Sequence, residues 1–292
     1  MSIVIGTRCS KLAVIQAENV KLLLKEIGIE SRIKKIKTTG DIINKKPLRD
    51  IGGKNLFAKE IHKSLINKEI DIAVHCLKDL DSVKKDDFSY LAYLKREDPR
   101  DMFISKSYKS ISQMPSGSIV GTCSPRRESF VKKINPDIII KSLRGNVPSR
   151  IERLKLGEFD AIILACSGLN RLNIVDHEIC TPIEIDEITP CGGQGVIVIE
   201  CLKEREDELF NIRKINDNIS QLTSEIEKSF LIGLNGDCHT PVGVFCNILS
   251  DDNVSIKCSY FNDDKYNYFS KTWPLKKAKY YAKKLGEEWS LY

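Results

Sequence analysis

The sequence DIAVHCLKD, residues 71–79, joins a short apolar run to a charged ending. Ile72, Ala73 and Val74 predict a buried strand, because a continuous apolar run bounded by polar residues is typical of strands covered on both faces. In open α/β sheets, ligands bind at the carboxyl ends of the strands. We therefore expect the carboxylate of Asp79 to point into a cleft and to be the chemical centre of the protein. The alternative is that Asp79 caps the N-terminus of a helix, a role that Asp often takes.

Length and composition limit the classes of protein that fit. A chain of 292 residues can form two or three domains with their own hydrophobic cores. Its 41% hydrophobic and 29% charged residues are typical of globular proteins. Residues 1–8 lack the features of a signal peptide, and the apolar runs are too short to cross a bilayer, so we expect a cytoplasmic protein.

The cysteines, the histidines and the net charge argue against two other classes. Ten cysteines without a secretion signal are expected to be reduced thiols. No C-x-x-C pair occurs and the four histidines are scattered, so no metal site is expected. A net charge of +6, with lysines spread along predicted helices, is modest for a nucleic-acid-binding protein.

The first part of the chain predicts strands alternating with helices. A strand at Ile3–Ile5 leads into a helix with apolar spacing that ends at Gly28, so Arg8 and Ser10 lie between a strand end and a helix start. Taken alone, Ser10 is more typical of a plain N-cap. A second strand near Ile33–Lys37 is followed by the loop Thr38–Leu56. This loop contains Gly-Gly-Lys54-Asn, which does not match a nucleotide-binding P-loop, and we interpret it as a mobile loop that carries a lysine.

A second set of strand and helix units follows residue 99. Strands are predicted at Ser118–Val120, Ile138–Ile140 and Ala161–Ala165, and each precedes a helix, which indicates a second parallel sheet. A single arginine at a strand end is usually a solvated surface residue, but here all three ends carry one. We expect one cleft between the two sheets, suited to a ligand with several carboxylates or phosphates. The basic residues expected to line it are Arg8, Lys78, Arg126, Arg127, Arg144, Arg150 and Arg171.

Two segments are candidates for crossings between domains, and one loop carries an unusual cysteine. Lys95–Asp101 is a dense charge cluster, and Pro190–Gly195 precedes a strand that could rejoin the first sheet. The C-terminal segment predicts a small α+β domain. Cys238 lies in a polar turn, where a thiol is expected to be exposed and could have a lowered pKa. Spacing alone leaves open whether Cys238 is functional.

Ten ordered stretches resemble the porphobilinogen deaminase family, also called hydroxymethylbilane synthases. They run nearly from end to end: TRCSKLAVIQA, KTTGD, GGKNLFAKEI, DIAVHCLKDL, REDPRDMF, GTCSPRR, SLRGNVPSR, DAIILACSGLNRL, CGGQGVIVIE and LNGDCHTPVG. The resemblance implies an α/β fold of three domains, the first two similar to periplasmic binding proteins with parallel-rich sheets and the third a small α+β domain. The expected boundaries are residues 1–94 with 195–213, residues 99–190, and residues 217–292.

The resemblance also implies an activity and a cofactor. The family are transferases that deaminate four porphobilinogen molecules and join them head to tail on a covalent dipyrromethane cofactor, releasing hydroxymethylbilane and ammonia in tetrapyrrole (heme and corrin) biosynthesis. We expect porphobilinogen as the small-molecule substrate, a monomer, and no metal, nucleic acid or membrane partner. The rival interpretations are a non-catalytic anion-binding protein on the same fold and an RNA-binding protein.

The family's functional residues carry over onto matching positions. By the resemblance, Asp79 is the catalytic acid and Cys238 forms the thioether to dipyrromethane. The carboxylate-binding set falls on Arg8, Ser10, Lys54, Lys78, Thr122, Ser124, Arg126, Arg127, Arg144, Arg150 and Arg171. Three places depart from the family's usual pattern: Cys76 replaces a serine, Leu80-Asp81 replaces Val-Pro, and Pro125 precedes the arginine pair.

Overall fold

The computed structural model describes residues 2–39, 58–237, 239–262 and 265–291. Lys54, Cys238 and most of the predicted loop at residues 38–56 lie outside the described residues. Thirteen strands are described: β1 Ile3–Arg8, β2 Ser31–Ile36, β3 Ile72–Cys76, β4 Phe88–Tyr93, β5 Asp101–Ile104, β6 Ile119–Gly121, β7 Ile139–Lys141, β8 Ala161–Ala165, β9 Cys180–Ile183, β10 Ile197–Leu202, β11 Val242–Ser250, β12 Asn253–Asn262 and β13 Lys265–Pro274. The described α-helices are α1 Lys11–Glu26, α2 Lys59–Ile66, α3 Pro125–Ile134, α4 Val147–Lys155, α5 Cys166–Leu172, α6 Asn218–Leu234 and α7 Leu275–Trp289.

Lobe 1 is the sheet β2-β1-β3-β10-β4 with helices α1 and α2. The neighbours β2, β1 and β3 are parallel, and β10 runs antiparallel to both β3 and β4. The apolar run in β3 is buried throughout, as expected of a central strand covered on both faces. Helix α1 packs Ala17, Val20 and Leu24 against the sheet and ends before Gly28, which has a φ of +80°.

Lobe 2 is the sheet β7-β6-β8-β5-β9 with helices α3, α4 and α5. The neighbours β7, β6 and β8 are parallel, and β5 runs antiparallel to both β8 and β9. Its central strand β8 is buried over Ala161–Leu164. The sequence predicted β8 with the same bounds, whereas β6 and β7 each lie one residue later than expected.

The two lobes share one strand order. If the parallel strands of each lobe are numbered in chain order, the order across the sheet is second, first, third, then one antiparallel strand, then fourth. In each lobe, the antiparallel strand is the first strand after the chain crosses over from the other lobe. The chain passes from β4 to β5 through residues 94–100 and from β9 to β10 through residues 184–196, and these segments are named crossing one and crossing two.

The C-terminal unit consists of the antiparallel sheet β11-β12-β13 and the helices α6 and α7. The two helices approach closely because glycines meet at their crossing. A Cβ atom on Gly286 would lie 2.2 Å from the carbonyl oxygen of Phe230, and one on Gly233 would lie 2.1 Å from that of Lys283. The expected small α+β unit is therefore present.

One buried carboxylate joins the C-terminal unit to both crossings. Glu227 of α6 forms an ion pair with Arg96 of crossing one, with Arg96 Nη1 at 2.9 Å from Glu227 Oε1. The same carboxylate accepts hydrogen bonds from the backbone N–H groups of Gly193 in crossing two and Cys246 in β11, at 2.8 and 2.9 Å. Three parts of the molecule thus meet at one side chain.

Two further observations bear on the sequence-based expectations. None of the helices in the described ranges is both long and apolar enough to cross a bilayer. The nine cysteines within those ranges are free thiols.

Candidate active site

The strand order of each lobe creates a crevice at the carboxyl ends of its first and third parallel strands. The second parallel strand lies on one side of the first, and the third lies on its other side. The connections that leave the first and third strands therefore run in opposite directions and leave a gap, where ligands bind in open α/β sheets. In lobe 1 the crevice lies between the ends of β1 and β3, and in lobe 2 between the ends of β6 and β8. Most of the predicted site residues lie at the end of one of these four strands or follow it: Arg8, Ser10, Lys78, Asp79, Thr122, Ser124, Arg126, Arg127 and Arg171.

A cavity of about 70 Å³ lies at the lobe 1 crevice, and its lining includes Arg8, Ser10, Cys76 and Asp79. Asp79 is exposed and ends the 3₁₀ turn Leu77–Asp79 that follows β3. It caps no helix, so the capping alternative is wrong. A larger cavity of about 360 Å³ lies on lobe 2 beside α4, but none of the predicted site residues lines it. Charge and chemistry therefore favour the smaller cavity as the reaction site.

Ser10 takes the capping role that the sequence left open. Its Oγ accepts a hydrogen bond from the backbone N–H of Ala13 at 3.3 Å, at the start of α1. This contact satisfies one of the free N–H groups of the first helical turn. The hydroxyl still lines the cavity beside Arg8.

Cys76, one of the departures from the family pattern, is paired with a buried amide that the sequence analysis did not single out. The side chains of Cys76 and Gln16 are in contact, with Gln16 Nε2 at 3.1 Å from Cys76 Sγ. Burial raises the pKa of the Cys76 thiol, and the nearby Asp79 carboxylate acts in the same direction. Cys76 is thus a neutral thiol at the wall of the cavity.

Lys78 is held across the boundary between the lobes. Its Nζ donates to Gln194 Oε1 at 3.1 Å, and Gln194 belongs to crossing two. The amide nitrogen of Gln194 in turn donates to the carbonyl oxygen of Pro99 at 2.7 Å and to Asp101 Oδ1 at 3.1 Å. Gln194 therefore links Lys78, the residue before Asp79, to crossing one and to strand β5 of lobe 2.

Arg126 and Arg127 differ from the expectation that they line an open cleft. Both are buried and both bind Asp101, with Arg126 Nη1 at 2.8 Å and Arg127 Nη2 at 2.7 Å from its carboxylate oxygens. Arg126 also donates to the carbonyl oxygen of Thr189, and Arg127 to that of Ile163. Burial alone would raise the pKa of Asp101, but the two guanidinium groups outweigh it and hold that pKa well below its usual range.

The hydroxyl groups of Thr122 and Ser124 shape the start of α3. Thr122 Oγ1 accepts from the backbone N–H of Ser124 at 3.1 Å. Ser124 Oγ accepts from that of Arg127 at 3.5 Å, and Pro125 follows at the first helical position, where its fixed φ is favourable. Pro125 therefore fits the helix start that presents the arginine pair.

Arg144, Arg150 and Arg171 are half-buried arginines of lobe 2 that the sequence predicts to bind carboxylates. Burial lowers the pKa of Arg150, and the neighbouring Arg127 and Arg144 lower it further, while Asp79 of lobe 1 opposes them. Burial also lowers the pKa of Arg171, against the influence of Cys76. Arg150 and Arg171 donate to the carbonyl oxygens of Gly145 and Gly195, at 2.8 and 2.6 Å. The two lobes thus face each other with an acid on one side and guanidinium groups on the other.

Gly236, two positions before Cys238 in the sequence, contacts the segment that follows Asp79. The carbonyl oxygen of Gly236 accepts a hydrogen bond from Ser82 Oγ at 2.9 Å. Asp237 Oδ1 accepts from the backbone N–H groups of His239 and Thr240, at 2.9 and 3.1 Å, which forms a tight turn.

A buried cluster of two histidines and a glutamate was missed by the sequence analysis. Glu200 Oε2 lies 2.8 Å from His62 Nε2 and 3.3 Å from His75 Nε2. Burial would raise the pKa of Glu200, but hydrogen bonds from the two imidazoles lower it to about 2. The three ligand atoms lie within 4.8 Å of one another, so a metal ion could geometrically share them. His62 Nδ1, however, is buried without a hydrogen-bond partner among the described residues, whereas metal-binding histidines usually have one there. The expected absence of a metal stays a prediction.

The fold and the cleft define a two-lobed α/β protein that presents one exposed carboxylate and several guanidinium groups to a ligand between its lobes. Two family models match the chain: residues 3–209 match "Porphobilinogen deaminase, dipyromethane cofactor binding domain", and residues 221–290 match "Porphobilinogen deaminase, C-terminal domain". The chain therefore belongs to the porphobilinogen deaminase family, and the expected dipyrromethane cofactor and transferase class are confirmed.

Curated relatives agree over most of the chain. A porphobilinogen deaminase of Rickettsia typhi is 45% identical over 256 residues, which are 87% of this chain and 85% of the relative. Those of Sulfurimonas denitrificans and Rickettsia canadensis are 43% and 41% identical, covering 87% and 95% of this chain and 82% and 94% of the relatives.

Solved structures with a related outline include binding proteins of transport systems. A periplasmic binding protein of Salmonella typhimurium has a TM-score of 0.42 at 13% identity, covering 75% of this chain and 93% of its own. A substrate-binding protein of an amino acid ABC transporter has a TM-score of 0.39 at 16% identity, covering 80% and 97%.

Proposed function

We infer that this chain joins four porphobilinogen molecules head to tail and releases hydroxymethylbilane and ammonia. Membership of the porphobilinogen deaminase family over nearly the whole chain supports this reaction. The assignment of individual residues is our own proposal, and it rests on the geometry of the cleft. The observation that carries it is the exposed carboxylate of Asp79 at the end of β3, in the field of Arg150 from the opposite lobe.

The donor set fits a group that carries several carboxylates. Arg150 and Arg171 are half-buried, burial lowers the pKa of both, and no described carboxylate forms an ion pair with either. An anion that enters such surroundings stabilises the charged groups, because its attraction offsets the cost of their desolvation. Dipyrromethane and each added pyrrole carry acetate and propionate groups, so we propose that Arg8, Lys78, Arg144, Arg150 and Arg171 bind those carboxylates.

Asp79 is proposed as the catalytic acid. Loss of ammonia from the aminomethyl arm of porphobilinogen leaves a cationic, azafulvene-like ring. The Asp79 carboxylate can accept a hydrogen bond from the pyrrole N–H, stabilise that positive charge, and take up the proton released when the new carbon–carbon bond forms. When bound, dipyrromethane supplies the free α-carbon at which chain growth begins.

Arg126 and Arg127 are proposed to act from behind the binding surface. They keep a positive charge under the floor of the cleft, and the Asp101 carboxylate fixes their positions. Thr122 and Ser124 are proposed to contribute through the start of α3, and Ser10 through the start of α1. The role of Lys54 in carboxylate binding stays a prediction from the resemblance.

Cys238 is proposed as the attachment point of dipyrromethane. Its neighbour Gly236 is hydrogen-bonded to Ser82, three residues from Asp79, which supports an attachment point near the acid. A monomeric state, a cytoplasmic location and the domain boundaries given above are also proposals. Free thiols within the described ranges suit a reducing compartment, and the two crossings suit the boundaries near residues 94–99 and 190–195.

The test combines mass spectrometry with turnover. The purified protein should carry a covalent adduct of two pyrrole units on Cys238 and should release one ammonia for each porphobilinogen consumed. Cys238→Ala should lack the adduct, and Cys9→Ala, which removes an exposed thiol next to Arg8 in the sequence, should retain it. An unmodified wild-type mass together with absent turnover would refute the function, and an adduct on another residue would refute the attachment point.

A further inference from the structure

The segment that follows Asp79 is fastened to the C-terminal unit at two successive residues. Ser82 Oγ donates to the carbonyl oxygen of Gly236 at 2.9 Å. The ammonium group of Lys228 on α6 donates to the carbonyl oxygen of Asp81 at 3.2 Å. One bond reaches the loop that leads to Cys238, and the other reaches the helix that precedes this loop.

Lys228 is also fixed from the side of lobe 1. Its Nζ lies 3.3 Å from the hydroxyl oxygen of Tyr90 in β4 and 4.9 Å from the centroid of the Tyr90 ring. A tyrosine ring face and a carbonyl oxygen both attract a cation, so the contact is strongest while the amine is protonated. Lys228 is thus a bridge from α6 to lobe 1.

We propose that Lys228 and Ser82 are positioning residues that set the place of Asp79 relative to the loop carrying Cys238. The proposal rests on the proposed roles of Asp79 and Cys238. A single residue lies between Asp79 and Asp81 and between Gly236 and Cys238, so each bond acts within a few peptide units of a reacting group. A primer held on one loop reacts with a ring held by the acid only when the two loops keep their spacing, because small misplacements cost large factors in rate.

The charges around Lys228 make this bridge sensitive to pH. Burial lowers the pKa of Lys228 to about 8, Glu200 and Asp81 oppose that effect, and Lys84 adds to it. Tyr90 contributes a neutral hydroxyl, since burial raises its pKa far above 10. The amine loses its charge as the pH rises through about 8, and the charge-assisted bond to Asp81 weakens.

Stability and turnover should then change in opposite directions at alkaline pH. A base whose folded-state pKa lies below its unfolded value is protonated more fully in the unfolded chain between the two pKa values, so its contribution to stability rises with pH in that range. Turnover should instead fall as the bridge weakens. A role limited to stability would make the two quantities follow each other.

The experiment uses the full-length holoenzyme with Lys228→Met, Lys228→Arg, Ser82→Ala and the control Lys279→Met, which removes an exposed lysine that pairs with Glu225 on α6. Cofactor loading is read from intact mass, and kcat and KM are measured from pH 6.5 to 9.5. We expect Lys228→Met to load the cofactor and to lose about 10- to 100-fold in kcat at pH 7, with KM within about twofold of wild type. Lys228→Arg should recover most of kcat and remove the decline above pH 8, and Lys279→Met should match wild type.

The outcomes separate this proposal from the proposed function. A loaded Lys228→Met enzyme with wild-type kcat and an unchanged alkaline limb would overturn the positioning role. If Lys228→Met fails to fold, the comparison of wild type with Lys228→Arg at pH 9 decides, and equal declines in kcat would overturn it. Failure of the function itself would show differently, as wild-type protein without an adduct or as Asp79→Asn enzyme with normal turnover.

Discussion

The carboxylate of Asp101 binds the guanidinium group of Arg127 through two of its nitrogen atoms, with Nε at 3.1 Å and Nη2 at 2.7 Å from Oδ1. Arg126 binds the other carboxylate oxygen, so one buried acid serves two buried arginines. The resemblance in the sequence predicts that both arginines bind the ligand. The structure adds an internal partner that holds them in place before any ligand arrives.

Removing the charge of Asp101 should destabilise the fold. Asp101→Asn leaves two buried guanidinium groups uncompensated, and we expect the free energy of unfolding to fall by about 3–5 kcal/mol. Urea denaturation at pH 7 measures it. Asp186→Asn is the control, because Asp186 forms an exposed ion pair with Lys257 and should cost at most about 1 kcal/mol. Equal losses in the two variants would contradict the account of Asp101 as the anchor of the arginine pair.

Replacement of the proposed acid should affect rate and leave stability intact. Asp79→Asn keeps the shape of an exposed side chain but cannot stabilise a cation or accept a proton, so kcat should fall by about 10²–10⁴-fold. Steady-state turnover of porphobilinogen, with thermal unfolding as a check, measures this. Asp86→Asn, in the exposed loop before β4, should retain wild-type turnover. Near-normal turnover of Asp79→Asn would exclude Asp79 as the acid.

Arg150 should separate ligand binding from stability. Because burial lowers its pKa, the charged side chain is disfavoured in the folded state, and Arg150→Gln should not lower the free energy of unfolding. Loss of one charge-assisted contact of about 1.5–3 kcal/mol should raise KM by roughly 10- to 100-fold. Arg153→Gln is the matched control on the same helix, since Arg153 pairs with Glu158 at the surface. A wild-type KM for Arg150→Gln would place the substrate carboxylates elsewhere.

The cluster around Glu200 should make the free energy of unfolding depend on pH in the acid range. The folded-state pKa of Glu200 is about 2, below the value of about 4.3 for an unperturbed glutamate, so its stabilising contribution is complete above pH 4.3 and is lost as the pH falls toward 2. The difference corresponds to about 3 kcal/mol. Urea denaturation from pH 7 to pH 3 of wild type and Glu200→Gln measures it, and the gap between the two curves should narrow as the pH falls. A gap that stays constant would rule out this linkage.

The sequence predicts the strands and helices better than their ends. The strand Ala161–Ala165 has the predicted bounds because its apolar run is sharply limited by polar residues. For helix α6, by contrast, the sequence predicts a start at Thr223, whereas the helix begins at Asn218, where Asp217 accepts a hydrogen bond from the Ser220 N–H at 2.7 Å. Its first turn contains one apolar residue, the exposed Ile219, so apolar spacing alone does not reveal this turn. For strand β11 the sequence predicts an end at Cys246, whereas the strand continues to Ser250, because pairing with β12 continues after the buried residues end.

The candidate site was predictable where the chain places residues directly after strands. Arg8 and Asp79 follow the apolar runs of β1 and β3, and their common edge is set by parallel pairing. The burial of Arg126 on α3 was not predictable, because its partner Asp101 comes from β5, which is distant in the sequence. The cluster of His62, His75 and Glu200 depends in the same way on long-range pairing of β3 with β10 and on the packing of α2.

The contacts of Glu227 limit how the lobes can move. Both connecting segments and the sheet of the C-terminal unit are tied to the oxygen atoms of this one side chain, with Arg96, the Gly193 N–H and the Cys246 N–H as donors. Sliding of one lobe past the other would break several of these bonds together, whereas tilting about this point can preserve them. The carboxylate therefore acts as a pivot between the lobes. The cleft should open for each incoming ring by a rotation of the lobes centred on α6.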